Sequence, residues 1–366
     1  MKHLLSKIFF RINIVAAALL GFSYLSVFIS PQYFWPIAFF GLLYPFLVLL
    51  NLIFVIVWAF RLKPQVFLSL ITIAIGWTFI IRYVQFEIPF IKKKEVSISS
   101  NSFKILTFNV RLFNRYNWAK DPETSHEIFS FIEKEMPDVI CFQEFFTRSK
   151  GELSEEEIIK HLKNTKFHHI KYSLTRTGTS GFGIATFSRF PIVGMGEILF
   201  TKTYNLCIYT DMVVHGDTIR IYNNHLQSVR FLKQNYAFID TLKIRYSQEE
   251  INGILDITNR LKWAFERRAT QAEAIAAHVK RSPYPAIVCG DFNDSPVSYT
   301  YQTMNKNLND AFEEAGTGIG NTYLGKFPSY RIDYILLNKK FKVYNFFTPK
   351  LNLSDHYPVL CRLSIN

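Results

Sequence analysis

Three long apolar runs fill the first 81 residues of this 366-residue chain and constrain its fold more than any other feature. They are Ile12–Ser30, Ile37–Phe60 and Gln65–Ile81, and none of them contains an Asp, Glu, Lys or Arg. A helix rises ~1.5 Å per residue, so these runs would reach roughly 26–36 Å, against a hydrocarbon core of ~30 Å. We therefore expect residues 1–82 to form about three transmembrane helices, with spans at 12–30, 37–60 and 65–81.

The basic residues near these runs predict an orientation in the membrane. If all three runs span, one side carries Lys2, Lys7, Arg11, Arg61 and Lys63. Cytoplasmic loops are enriched in Lys and Arg, so we expect this side to be cytoplasmic, in an integral protein of the plasma (inner) membrane. An odd number of spans then places the C-terminal part of the chain outside the cytoplasm. Arg82 and the run Lys92–Lys94 lie on the opposite side and weigh against this orientation.

The net charge of +13 is spread unevenly along the chain. Residues 1–100 hold nine Lys or Arg and two Asp or Glu, a balance of +7, which leaves +6 for the remaining residues. Much of the basic charge therefore flanks the apolar runs, although the total alone would suggest an anionic partner such as nucleic acid or a lipid surface. The four Cys show no CxxC spacing, so we expect buried, unpaired thiols and no thiolate zinc site.

After a polar linker at 83–102, the pattern changes to short β-rich runs bounded by turn residues. The predicted strands are Phe103–Val110, Val139–Phe142, Gly183–Ser188, Cys207–Val214, Thr218–Asn224, Ala286–Cys289, Arg331–Leu337 and Val359–Leu363. Helices are predicted at Thr124–Lys134, Glu152–Lys163 and about Asn252–Lys280. Strands joined by hairpins, with only a few helices between them, predict an α+β domain built on packed sheets at 103–366.

Polar residues stand at the ends of these predicted strands. They are Asn109, Glu144, His225, Asp291, Asn293, Asp333, Asp355 and His356. Each alone has the simpler interpretation of a helix cap or turn former, but so many oxygen and imidazole donors are hard to explain as turns. Carboxylate and amide oxygens without Cys suit Mg²⁺, Mn²⁺ or Ca²⁺, and two histidines can move protons or hold a phosphoryl oxygen. The set predicts metal-assisted phosphoester hydrolysis.

Several motifs carry a family resemblance. They are LTFNVR (106–111), DVICFQE (138–144), GFGIATFSRFPI (181–192), HLQS (225–228), CGDFNDSP (289–296), RIDYILLN (331–338) and SDHYPV (354–359). Together they resemble the endonuclease/exonuclease/phosphatase superfamily, which includes deoxyribonucleases, apurinic endonucleases, inositol polyphosphate 5-phosphatases and neutral sphingomyelinases. The resemblance covers roughly residues 103–366 and implies a four-layered α/β sandwich, with two mainly antiparallel sheets flanked by helices.

The same resemblance implies a set of metal ligands. Glu144 resembles the principal Mg²⁺ ligand, with Asn109 beside it. Asp355 matches an additional carboxylate on the metal side. The cofactor expected from the resemblance is therefore Mg²⁺, with Mn²⁺ and Ca²⁺ as alternatives.

The resemblance also implies the residues that act on the substrate. Asp291 resembles the residue that orients or deprotonates the attacking water, and Asn293 a hydrogen-bond donor to the transition state. His356 resembles the phosphate-contacting histidine paired with Asp333. His225 resembles the histidine that protonates the leaving oxygen in the deoxyribonuclease and sphingomyelinase branches. Arg111 and His225 differ from the Asp and Asn of apurinic endonucleases, which makes that activity a poor fit.

Two substrates remain open from the sequence. One hypothesis is a membrane-tethered phosphodiesterase that acts on a lipid headgroup, with membrane lipids as partners. The alternative is a membrane-anchored nuclease that degrades DNA or RNA. The segment Val229–Glu250 mixes basic and aromatic residues, which suits either substrate or a structural insertion. A non-catalytic scaffold is disfavoured because every expected site position is filled, and no protein partner is predicted.

Overall fold

The computed structural model describes residues 2–86, 97–115, 123–176, 180–201, 203–232, 234, 235, 238, 248–325 and 330–366. The chain divides into two compact units. The helical unit consists of residues 1–83, 229–272 and 294–303, and the sheet unit of residues 84–228, 273–293 and 304–366. The Lys92–Lys94 run, most of the predicted linker and part of the Val229–Glu250 segment lie outside the described residues.

The described chain begins with helices and continues with strands that a few helices interrupt. The helices are α1 (Lys2–Leu25), α2 (Pro31–Phe34), α3 (Pro36–Leu42), α4 (Tyr44–Phe60), α5 (Val66–Ile75), α6 (Trp77–Ile80), α7 (Thr124–Glu135), α8 (Glu155–His161), α9 (Gln248–Lys280), α10 (Tyr299–Asn305) and α11 (Ala311–Ala315). The strands are β1 (Val84–Gln85), β2 (Phe103–Asn109), β3 (Val139–Arg148), β4 (Phe167–Arg176), β5 (Ser180–Ser188), β6 (Ile192–Ile198), β7 (Leu206–Val214), β8 (Asp217–His225), β9 (Ala286–Asp291), β10 (Asn309–Asp310), β11 (Gly318–Ile319), β12 (Asp333–Leu337), β13 (Phe341–Phe347) and β14 (Val359–Ile365).

The prediction of about three transmembrane helices is wrong, because the apolar runs do not form three long helices. Within the described residues, Leu4–Leu25 in α1 is the one helix that is long and apolar enough to cross a membrane. The second run is divided into α3 and α4, which meet at a bend of 62° and could count together as one broken span. Pro45 lies in the first turn of α4, where proline can begin a helix but cannot continue one.

The third run also breaks, at Gly76, between α5 and α6. Helix α5 has 10 residues. A helix of that length reaches ~15 Å, about half of a hydrocarbon core. The apolar composition of residues 65–81 therefore predicted a span that the helix geometry does not provide.

Helices α1, α4 and α5 turn polar side chains inward. Asn13 Nδ2 donates a hydrogen bond to Ser69 Oγ at 2.6 Å, and Ser69 Oγ donates to Asn51 Oδ1 at 2.8 Å. Trp58 Nε1 donates to Asn13 Oδ1 at 2.9 Å, and all four side chains are fully buried. The outward residues are apolar and 46–70% exposed: Ile14, Val15, Ile53, Ile56, Ile71 and Ile75. The interior of these helices therefore holds this polar network beside apolar clusters, while large apolar side chains are exposed on the outside.

The sheet unit contains two six-stranded sheets. Sheet 1 has the order β10-β12-β9-β8-β7-β6, and sheet 2 has the order β13-β14-β2-β3-β5-β4. Each sheet contains one parallel pair, β8 with β9 in sheet 1 and β2 with β3 in sheet 2. The other neighbours are antiparallel, so both sheets are mixed.

Alternating residues of the central strands bury the two sheets against each other. Ile105 and Cys141 of sheet 2 pack in one cluster with Ile221, Ile287 and Ile335 of sheet 1. This pattern follows from the period of two, which sends successive side chains of a strand to opposite faces. All four cysteines are buried free thiols, as predicted.

The outer face of sheet 2 is covered by helices. Phe108 and Phe142 face outward from the sheet and pack with Phe129 of α7 and Ile158 of α8. On sheet 1, the Tyr222 hydroxyl lies 2.8 Å from His278 Nδ1 on α9. Two mixed sheets flanked by helices confirm the predicted sandwich.

Candidate active site

The predicted site residues converge because the central strands of both sheets end at one edge. The parallel pairs β2–β3 and β8–β9 each bring two carboxyl ends together. Asn109 ends β2, whereas His225 and Asp291 end β8 and β9. Asp333 begins β12 directly opposite Asp291 in the antiparallel register.

Asp291 is the best-connected residue of the site. Its Oδ2 accepts hydrogen bonds from Asn109 Nδ2 at 3.0 Å and from Asn293 Nδ2 at 2.9 Å. Its Oδ1 accepts from the Asn293 backbone N–H at 2.8 Å. Three donors therefore fix the plane of this buried carboxylate, and Asn109 connects the edge of sheet 2 to the edge of sheet 1.

Two histidines approach Asp291, His225 from the end of β8 and His356 from the segment before β14. His225 Nε2 lies 3.8 Å from Asp291 Oδ2 and 3.8 Å from Glu144 Oε1. His356 Nε2 lies 3.8 Å from the same Asp291 oxygen, and its Nδ1 lies 2.9 Å from Asp333 Oδ2. The Asp333 contact orients the His356 ring, so that Nε2 faces the site.

Burial and mutual charge shift the pKa values of this cluster. Burial, together with the charge of Asp333, raises the pKa of Asp291 to about 7 against the opposing effect of His356. Burial lowers the pKa of His356, but the charges of Asp333 and Asp291 outweigh this and raise it to about 10. Loss of bulk water and the charge of Asp355 raise the pKa of Glu144. At neutral pH, His356 is therefore a buried cation among acids.

A bulge in β3 presents Glu144 to the site. The register of β3 against β5 shifts between Phe142 and Phe145, so both phenylalanines face the same outer core. Glu144 takes up the extra position with φ 49°, in the left-handed region. That conformation costs a residue with a Cβ about 1–2 kcal/mol, a strain that structures keep at functional positions.

The donor set fits a hard divalent cation. The charge of Asp355 raises the pKa of Glu144, because the two carboxylates repel each other. A cation bound near both would relieve this repulsion. Among the described residues, the buried Asp333 Oδ1 has no hydrogen-bond partner. Ligand atoms of Asp291, Asp333 and His356 also lie within 4.8 Å of one another. Glu144, Asn109 and Asp355 offer a second set of oxygen atoms that could hold such a cation.

Asp355 contacts a basic residue that borders a cavity. Arg111 Nε lies 3.2 Å from Asp355 Oδ2. Both residues, with Asn114, Asn352 and other neighbours, line a polar cavity of ≈ 300 Å³. Arg111 begins a turn of four non-glycine residues with positive φ, at residues 111–114. The sequence marked Arg111 only as a departure from the apurinic endonucleases.

Two hydroxyl residues at the site escaped prediction. Thr322 Oγ1 accepts hydrogen bonds from the backbone N–H groups of Ile332 and Asp333, at 3.0 and 3.1 Å. Ser354 Oγ donates to the Asn109 carbonyl at 2.8 Å and thereby ties the segment before β14 to the end of β2. Ser354 belongs to the SDH motif, whereas Thr322 stands in a stretch with no pattern that marks it.

Sequence comparisons assign most of the chain to two families. A family described as Endonuclease/Exonuclease/phosphatase matches residues 106–356. Residues 6–83 match a second family, described as a domain of unknown function. No curated protein matches this chain.

Solved structures share the fold at low sequence identity. The endonuclease/exonuclease/phosphatase from Bacteroides vulgatus is 18% identical, with a TM-score of 0.52 over 72% of this chain and 99% of that one. Humanized D. rerio TDP2 with 14 mutations is 15% identical, with a TM-score of 0.51 over 72% and 100%. The human Nocturnin catalytic domain with bound sulfate is 18% identical, with a TM-score of 0.50 over 74% and 96%. These likenesses describe the fold and leave the substrate open.

Proposed function

Because the chain belongs to the Endonuclease/Exonuclease/phosphatase family, we propose that it is a membrane-anchored, divalent-metal-dependent phosphodiesterase that acts on a lipid headgroup. Members of this family are generally hydrolases of phosphoesters. The observation that carries the reaction type is the Asp291 carboxylate, which three N–H groups orient between two histidine Nε2 atoms at 3.8 Å each.

The cation is assigned to Glu144, Asn109 and Asp355. When bound, Mg²⁺ (or Mn²⁺ or Ca²⁺) would supply positive charge against the charge that develops on the phosphate oxygens. The remaining chemistry belongs to side chains of the chain itself.

Asp291 serves as the general base in this proposal. Its carboxylate accepts a proton from a water molecule, whose oxygen forms the new bond to phosphorus. The bond from phosphorus to the leaving oxygen breaks, and His225 Nε2 gives that oxygen a proton. The His356 cation binds the phosphate oxygens as negative charge accumulates on them.

The membrane anchor is supported by the helical unit. Only 33% of the most apolar part of α1 is buried, whereas the core helix of a soluble protein is mostly buried. The hydrogen-bonded chain of Asn13, Ser69 and Asn51 lies inside the same helices, where neighbouring helices satisfy polar groups in lipid. A soluble helical domain would have to expose the apolar outer surface of these helices to water.

The packing of the helical unit supports an orientation for the anchor. One end joins Leu20 of α1, Tyr44 of α4 and Phe79 of α6. The other end joins Phe9, Phe54 and Trp58, and Arg61 stacks on two of these rings. This second end also carries the exposed basic residues Lys7, Arg11 and Lys63. We therefore assign this second end to the cytoplasmic side of the membrane.

A lipid substrate is supported by the chain connections of the site. His225 is followed four residues later by Val229, and Asn293 is followed directly by Asp294, where in both cases the helical unit begins. Two residues of the proposed site are therefore tethered by at most a few residues to the anchor. Such a tether raises the effective concentration of lipid headgroups, while a soluble polymer gains nothing from it.

The test uses the full-length protein in detergent and in vesicles. We expect Mg²⁺-dependent release of a labelled headgroup from phospholipid or sphingolipid vesicles, and none from Glu144→Gln. Plasmid and a phosphomonoester provide the competing substrates. Efficient plasmid nicking without turnover of any lipid would replace this proposal with the anchored nuclease.

The orientation has its own test. A reporter fusion at residue 63 should read inside, and an outside signal there would contradict this orientation. The extracytoplasmic placement expected from three spans needs a third crossing, which α5 does not provide, so a fusion at residue 366 decides the side of the substrate.

A further inference from the structure

The segment that follows the catalytic strand β9 is built into the helical unit. We name Asp294–Thr303 the post-catalytic segment, because Asp294 is bonded directly to Asn293. Its Val297 is fully buried and packs with Leu20, Tyr44 and Phe79 of the N-terminal helices. Val297, four positions after Asn293, is therefore part of the core of the N-terminal helices.

The close approach of backbone to backbone reinforces this packing. A Cβ added at Gly41 of α3 would lie 2.3 Å from the Val297 carbonyl oxygen. Ser26 Oγ, which donates to the Ser23 carbonyl, lies 3.3 Å from the same Val297 oxygen. Only glycine fits at position 41 with the segment in this place, so the helices and the segment are shaped for each other.

Two arginines of the helical unit hold the post-catalytic segment by its polar groups. Arg82, just after α6, donates from Nη1 to the Pro296 carbonyl at 3.2 Å and from Nη2 to Gln302 Oε1 at 2.9 Å. Its guanidinium also lies 5.0 Å from the ring centre of Tyr301. Arg268 of α9 donates from Nε to Asp294 Oδ2 at 3.1 Å, in a pair with side chains only 2% and 7% exposed.

The contacts of Arg82 account for a basic residue that the predicted membrane orientation does not explain. Arg82 follows the third apolar run, on the side of the membrane where that orientation predicts few Lys or Arg. A guanidinium with five fixed donors can bind a carbonyl, an amide oxygen and a ring face together, which a lysine cannot.

We propose that Arg82 is a positioning residue of the catalytic site, acting through the post-catalytic segment on Asn293 and thus on Asp291. The role rests on the proposed phosphodiesterase function. Asn293 holds both oxygens of Asp291 while it occupies the left-handed region at φ 54°. A strained residue keeps its conformation only if the chain on each side is fixed, and a misplacement of about 1 Å in a reacting group costs about 100-fold in rate. The N-terminal helices are therefore part of the catalytic apparatus as well as the anchor.

The kinetic test uses the full-length protein and a soluble chromogenic phosphodiester, which removes any effect of membrane binding on the substrate. Arg82→Met keeps the apolar stem and removes the donors. We expect kcat to fall by at least about tenfold while KM changes by less than about twofold, because geometry and not binding is lost. Arg82→Lys, which keeps one charged donor, should recover part of the loss.

A double-mutant cycle and a matched control separate positioning from general destabilisation. Gln302→Met removes one partner of Arg82, and the double variant should be no worse than Arg82→Met alone. Arg61→Met serves as the control, because Arg61 is an arginine of the same unit that stacks on Phe9 and Trp58. We expect Arg61→Met to leave kcat unchanged. The proposal would be overturned if the kcat losses of Arg82→Met and Gln302→Met added up in the double variant, or if Arg61→Met lost as much kcat as Arg82→Met.

A second measurement is independent of activity. Hydrogen–deuterium exchange of the peptide that covers residues 291–303 should accelerate in Arg82→Met and Gln302→Met and remain unchanged in Arg61→Met. If the wild-type protein hydrolyses no phosphoester but this exchange pattern is found, the proposed function fails and the positioning contact stands. If exchange and kcat in Arg82→Met both match the wild type, the positioning role is wrong.

Discussion

Asn293 binds both carboxylate oxygens of Asp291, through its backbone N–H to Oδ1 at 2.8 Å and through its side-chain amide to Oδ2 at 2.9 Å. The two contacts are made possible by a left-handed backbone at Asn293, a conformation that Asn tolerates better than most residues. One residue thus sets the orientation of the proposed base and the hydrogen bonds that stabilise its charge. The consequences for rate, pH dependence and stability can each be measured.

Removal of the charged groups should abolish turnover and leave the fold intact. We expect Glu144→Gln and Asp291→Asn each to lower kcat by about 10²–10³-fold, because the lost charges act on the reaction and not on core packing. Chelation should have the same effect on the wild type, with recovery on addition of Mg²⁺ or Mn²⁺. Glu156→Gln, at a side chain that is 81% exposed, is the matched control. Full activity in excess chelator would exclude the metal-dependent mechanism.

The acid limb of the activity profile should report Asp291. A general base acts only when ionised, and the Asp291 pKa of about 7 means that activity should rise as the pH increases through neutrality. Asn293→Asp places a second carboxylate next to Asp291, which raises the Asp291 pKa further, so the limb should move to higher pH. The measurement is kcat against pH for both proteins. An unchanged or lower midpoint in the variant would contradict the assignment of the base.

His169 should make the protein sensitive to acid. Its Nδ1 lies 3.0 Å from the buried Thr210 hydroxyl, and burial lowers the His169 pKa from its usual value near 6.5. The unfolded chain then binds a proton that the folded protein does not, so this stability is complete above about pH 6.5 and declines as the pH falls below it. His169→Gln should flatten the fall of the melting temperature between pH 7 and 5. An identical slope in both proteins would show that His169 does not contribute.

The buried hydrogen bonds that join Asn13, Ser69 and Asn51 should be essential for the stability of the helical unit. Asn51→Leu removes the acceptor of the buried Ser69 hydroxyl and the donor to the Ala16 carbonyl, and each unpaired group costs about 1–3 kcal/mol. We expect a clear drop in the melting temperature in detergent. Ile53→Leu, at an outward position that is 55% exposed, should have almost no effect. Equal melting temperatures for Asn51→Leu and the wild type would mean that the hydrogen bonds of Asn51 do not contribute to stability.

The sequence indicated the candidate site well because strand ends are easy to recognise. Asn109, His225 and Asp291 each follow a continuous apolar run, and such runs mark central strands. The sequence did not predict β1, β4, β6, β10, β11 or β13, which are all edge strands. One face of an edge strand is often half exposed, as in β6, so its apolar pattern is weak.

Contacts between distant segments could not be predicted from the chain alone. Thr322 and Arg82 lie in segments without a motif, and their roles depend on partners that the fold brings near them. The number of membrane helices was overestimated for a different reason. Composition measures the length of an apolar run, whereas Pro45 and Gly76 determine where a helix within it must end.

The placement of Val297 in the core of the N-terminal helices has a consequence for the order of biogenesis. Those helices leave the ribosome first, but the valine that completes their packing is synthesised roughly 200 residues later. At about 5–20 residues per second, the interval is on the order of 10–40 s. During that time the N-terminal helices lack the contacts that Val297 makes with Leu20, Tyr44 and Phe79. These helices therefore reach their final packing only after the catalytic strand β9 has been made, when most of the chain has already been synthesised.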